Sequence, residues 1–127
     1  MTARELRLRR EIFEAFADSG APPDLPPSAL AGLERNHVVV LREGRISMAH
    51  PFAAHRWGTR VDGADGRSWW GNCAWDGLGI VAALGLHSAS VTSGDITLHV
   101  RGGAVLDNAL FHVAVPARHW WDDIEHT

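Results

Sequence analysis

The first alternation of apolar and polar positions along the chain has a helical period. In "ARELRLRREIFEAFAD", residues 3–18, Leu6, Ile12, Phe13 and Phe16 form a narrow apolar stripe flanked by charge. Ser19-Gly20 is a stop signal, and "APPDLPP" then breaks the chain. Ser28 is placed to cap a second short helix over Ala29 to Arg35. From His37 the period changes to that of a strand. "HVVVL" and "RISMA" flank "REG", so a β-hairpin turning at Glu43-Gly44 is expected. Two helices followed by a hairpin suggest a winged-helix arrangement.

Further along, "HRWGTRV" reads as a strand and Asp62–Gly66 as a polar turn. "NCAWDGLGIVAALG" is apolar on most sides, so a central, buried helix is expected, capped by Asn72. Three strands are expected after it, in "SASVT", "DITLHV" and "ALFHVAVP", with His99 and His112 inside strands and Pro116 ending the last. "ARHWWDDIEHT" is a short terminal helix or turn, anchored by Trp120 and Trp121. This order predicts an α+β fold: N-terminal helices and a hairpin, then a mixed or antiparallel sheet around a buried helix. The 127 residues suit one domain, with residues 1–50 as a shortened winged-helix-like part and residues 51–127 as a catalytic-like core.

Composition narrows the function. The net charge of −3 with neutral histidines gives no general attraction to nucleic acid or anionic membrane. The one basic cluster, Arg4, Arg7, Arg9 and Arg10, reads as a solvated helix face. No segment reaches the roughly 20 apolar residues that span a bilayer, and the N-terminal residues do not form a secretory signal. A single cysteine excludes an intrachain disulfide and favours a reducing compartment, so a cytoplasmic protein is expected. The eight histidines show no H-E-x-x-H or H-x-H spacing, there is no C-x-x-C, and there is no G-x-S-x-G elbow.

The chemistry therefore concentrates at Cys73 and Asp76. A cysteine in the first turn of a helix meets unpaired N–H groups and the positive end of the macrodipole, which lower a thiol pKa. Asp76, three residues on, shares that helix face. Sulfur can then attack or bind a soft metal while the carboxyl moves a proton. The same residues also read as a small apolar side chain and a dipole-favoured carboxylate, and from C-x-x-D alone both readings stand. Trp69, Trp70 and Trp75 are candidate walls of a substrate pocket, or core rings.

Longer motifs separate these readings. "MAHPF", "WWGNCAWDGLGIVAALG" and "FHVAVPARHWWDDI", in that order and at similar spacing, resemble the alkylmercury (organomercurial) lyase family over roughly residues 37–124. The resemblance implies cleavage of a carbon–mercury bond by protonolysis, with Cys73 as metal-binding thiolate and Asp76 as proton donor. It implies no required cofactor, with Hg(II) as the ligand left by the substrate. The family's second catalytic cysteine has no counterpart here. Its place falls near Leu106 or Asp107, in "VLDNALFHVAVP". Asp107 or His112 are the substitutes within the chain, and an external thiol is the substitute outside it. The partner expected is a small organometallic or another soft ligand. Two further functions compete: a non-catalytic protein binding a soft metal or small ligand on the same fold, and a winged-helix interaction module with a structural Cys73.

Overall fold

The computed structural model describes residues 1–126. Helix α1 spans Ala3–Ser19 and begins at a reciprocal cap. The Glu5 N–H donates to Thr2 Oγ1 at 3.2 Å, and the Thr2 N–H donates to the Glu5 carboxylate at 2.6 Å. Gly20 ends α1 in the left-handed region, φ 71°, with its N–H on the Phe16 carbonyl. The apolar stripe buries Ile12 and Phe16, and Phe16 stacks on Phe52 with ring centroids 5.4 Å apart. Helix α2, Pro27–Arg35, buries Leu30 and Leu33. Its cap is Pro26 rather than the expected Ser28, because Pro27 is already set at helical φ for the first position.

The hairpin forms as expected. β1 (Val40–Arg42) and β2 (Arg45–Ala49) are joined by Glu43 and Gly44 at φ 52° and 74°, the positive pair that matches strand twist in a two-residue turn. A short β3, Phe52–Ala53, adds to β2 and completes a three-stranded sheet.

The second sheet is antiparallel throughout, in the order β5-β4-β6-β7-β8. Its strands are β4 (Thr59–Gly63), β5 (Ser68–Gly71), β6 (Ser88–Ser93), β7 (Ile96–Arg101) and β8 (Ala104–Val105). Helix α3, Ala74–Ala83, lies on β4, β5 and β6 and buries Gly77, Ile80 and Val81. A Cβ at Gly77 would stand 2.5 Å from Val91 Cγ1 and 2.7 Å from Thr59 Cγ2, so glycine sets how closely α3 approaches the sheet. One apolar core joins Ile12 and Phe16 of α1, Leu30 and Leu33 of α2, Ile80 of α3 and Val61, Trp69, Val91 and Leu98 of the larger sheet. No helix among the described residues is long and apolar enough to cross a membrane.

Two expectations for the second half need correction. "SWWG" pairs with β4 as an edge strand that too few alternating residues announced. Conversely, "ALFHVAVP" forms no strand, and the exposed His112 is not in one. The ladder stops at the Leu106 N–H on the His99 carbonyl, 2.8 Å. The Asp107 carboxylate then takes the His99 N–H at 2.5 Å, the donor a longer β8 would have used. Residues 117–126 follow as two 3₁₀ turns, Ala117–Asp122 and Ile124–His126.

Candidate functional site

The site is built at the N-terminus of α3. This helix begins one residue later than expected. Cys73, with extended backbone at φ −134° and ψ 173°, is the N-cap itself, and Asp76 is the third helical residue. C-x-x-D is therefore also the spacing of a capping box, with sulfur and carboxylate in place of the usual hydroxyl and Glu. The Cys73 sulfur accepts the Asp76 N–H. Asp76 Oδ2 accepts the N–H of Asn72 at 3.2 Å and of Cys73 at 3.3 Å. Cys73 Sγ lies 3.7 Å from the same oxygen, oriented as S–H donor. Carboxyl and thiol thus share one helix mouth and one hydrogen-bond system.

Their surroundings differ. Cys73 is exposed, whereas the Asp76 side chain is only 15% exposed. Gly71 permits that enclosure: a Cβ there would stand 2.9 Å from Asp76 Cβ and 3.2 Å from the Pro51 carbonyl oxygen. Partial burial of the sulfur raises the Cys73 pKa above its ordinary value, and the Asp76 carboxylate raises it further. The hydrogen bond from the helix N–H acts in the lowering direction but does not prevail. The expected depression is thus corrected: the resting group is a thiol, with its proton facing a carboxylate.

The tryptophans separate. Trp69, expected as a pocket wall, is 1% exposed and belongs to the core, its indole N–H donating to the Ala17 carbonyl at 3.1 Å. Trp70 is half-buried on β5 opposite Arg60. Trp75 is 67% exposed in the first turn of α3, and Phe111 meets it edge-on with centroids 5.5 Å apart. Two surface depressions, one bounded by Asp18, Gly20, Arg67 and Trp69 and the other by Arg42, His55, Trp57 and Glu125, do not include Cys73.

Asp107 is engaged with His99, through its backbone N–H and through Nδ1 at 3.2 Å, and His112 lies exposed on the unpaired segment. Among the described residues no three His, Cys, Asp or Glu side chains are placed to hold a metal ion.

The sequence reading did not place His50 at the site, and it gave Asn72 and Trp121 other tasks. His50 Nδ1 stands 3.7 Å from Asp76 Oδ1. The Trp121 ring meets the His50 ring edge-on, centroids 5.8 Å apart, and stacks on His37 at 4.1 Å. Asn72, expected as the cap, instead donates from Nδ2 to the Ile124 carbonyl at 3.0 Å and so ties the terminal turns to the mouth of α3. In sequence, the only available signal was the position of His50 inside "MAHPF".

The family model for alkylmercury lyase matches residues 52–127, more than half of the chain. The chain belongs to the alkylmercury lyase family. The match contains the whole of α3 and its capping pair, and it begins just after His50. An alkylmercury-lyase-like function follows at the level of the family. No curated protein and no solved structure matches the chain.

Proposed function

We propose that this protein cleaves carbon–mercury bonds by protonolysis, with Cys73 as the mercury-binding sulfur and Asp76 as the acid. The observation that carries the reading is the Cys73 Sγ to Asp76 Oδ2 approach of 3.7 Å, with Cys73 at the surface and the carboxyl enclosed. An organomercurial cation is soft and prefers sulfur to oxygen or nitrogen. The Cys73 S–H gives its proton to Asp76, and sulfur forms a bond to mercury as the metal's exchangeable ligand departs. Protonated Asp76 then gives that proton to carbon. The carbon–mercury bond breaks, a carbon–hydrogen bond forms, and Hg(II) stays on Cys73. Asp76 ends as the carboxylate with which it began.

A raised thiol pKa suits this sequence, because the proton that carbon needs arrives with Cys73 itself. A soft second ligand to Hg(II) comes from an external thiol. A further thiol then carries Hg(II) away and returns a proton to Cys73. The exposed face of Trp75 and the edge of Phe111 offer apolar surface to the organic group.

The test is hydrocarbon release. Phenylmercury with excess small thiol yields benzene with the wild-type protein and none with Cys73→Ser. Asp76→Asn keeps an acceptor for the capping N–H groups but has no proton to give, so it holds phenylmercury on Cys73 and releases no benzene. Wild-type protein that binds one Hg(II) per chain and never yields benzene or methane is instead a soft-metal binding protein, and the lyase reading then fails.

A further inference from the structure

We propose, on the basis of the lyase reading, that His50 is a positioning residue that keeps the transferable proton on the oxygen of Asp76 facing Cys73. The two carboxyl oxygens have unequal surroundings. Oδ2 takes both backbone N–H groups and faces the Cys73 sulfur, while Oδ1 faces His50 Nδ1. A proton on Oδ2 is beside the sulfur and any metal on it. A proton on Oδ1 points away, toward the imidazole. Once the thiol has given up its proton, the two backbone donors on Oδ2 favour the unproductive arrangement unless Oδ1 also has a donor.

The fold supplies that donor and limits its alternatives. His50 and Pro51 connect β2 to β3, and the turn is pressed onto α3: a Cβ at Gly79 would stand 3.2 Å from Pro51 Cβ. The edge-on contact with Trp121 holds the ring from another side. Nε2 is buried and has no hydrogen-bond partner. A neutral ring therefore carries its proton on Nδ1, where the carboxylate receives it, rather than burying an unpartnered N–H. A hydrogen bond there requires the ring and the carboxyl to close from their present separation of 3.7 Å. Because the cap on α3 uses only Oδ2, His50 is not needed to start the helix.

The experiment compares His50→Ala, His50→Leu and His50→Asn in the full chain, with phenylmercury and excess thiol. Ala and Leu lower kcat by about 10- to 100-fold, the scale of losing an orienting contact, with KM and Hg(II) stoichiometry unchanged. Asn, whose amide nitrogen falls near the place of Nδ1, restores most of the rate. Wild-type kcat in both donor-free variants, or an Asn variant no faster than Ala, overturns the inference and leaves the lyase reading intact. A wild-type protein that releases no hydrocarbon overturns both. Leu keeps the ring's bulk against Trp121, so the comparison holds even if Ala loosens the turn, and thermal midpoints of all three variants report that directly.

Discussion

At the scale of single residues, the thiol is tuned by its surroundings. Burial and the carboxylate both hold the proton on Cys73, and the helix N–H opposes them. A thiolate-dependent probe reads the balance. Alkylation of Cys73 by iodoacetamide rises with pH through and beyond the ordinary thiol range near 8.5, without a plateau at neutral pH. Asp76→Asn removes the negative charge, lowers the thiol pKa and speeds labelling at pH 8 about two- to tenfold. A plateau already reached at pH 7 in the wild-type protein contradicts this account. The same carboxylate that slows simple alkylation receives the thiol proton when mercury binds, so low general reactivity and metal-directed reactivity are compatible.

At the scale of elements, the mouth of α3 has two tasks. Asp76 closes a capping box and supplies the acid, so its substitutions mix stability with chemistry. Asp76→Ala removes the acceptor of two backbone N–H groups and costs about 1 kcal/mol, seen as a lowered urea midpoint at unchanged slope. Asp76→Asn retains an oxygen there and costs less. If the two variants unfold at the same urea concentration, the carboxylate's capping bonds contribute nothing measurable. For activity, Asn is the informative change. One residue on, Gly77 leaves no room for a side chain between α3 and the sheet, so the Cys73–Asp76 pair is held at a set height above β4 and β6.

At the scale of the whole molecule, the C-terminal turns close over the junction of the two sheets. Glu125 is 5% exposed, and its carboxylate is bound by the Arg42 guanidinium of β1 and the Ser47 hydroxyl of β2. Trp121 lies against His37 and His50, and Asn72 holds the Ile124 carbonyl. Distant segments thus meet around Asp76, and the terminal turns brace the turn that carries His50. Glu125→Ala frees residues 117–126 from the hairpin. Limited trypsin digestion then cuts after Arg118 several-fold faster than in the wild-type protein, with little change in the urea midpoint of the core. Equal cleavage rates mean that Glu125 does not hold the turns.

The sequence alone determined the elements with a strong period or a defined stop. The stripe through Ile12 and Phe16, the stop at Gly20, the Glu43-Gly44 turn and the apolar α3 are all local, because hydrophobic spacing and positive-φ residues act within a few positions. C-x-x-D was also legible as a pair on one helix face, and the longer Trp-rich motifs supplied the family. Tertiary structure decided what depends on distant partners. Trp69 became a core ring because Ala17 offers its carbonyl from α1, and Trp75 stayed outside because nothing packs over most of it. Alternation in "ALFHVAVP" did not make a strand, because Asp107 occupies the edge where pairing would continue. The thiol pKa went up rather than down because burial and a neighbouring charge are properties of assembled surroundings, not of position in a helix. His50 reaches Asp76 only because β2 and β3 turn against α3, and a contact across 26 residues has no local signature.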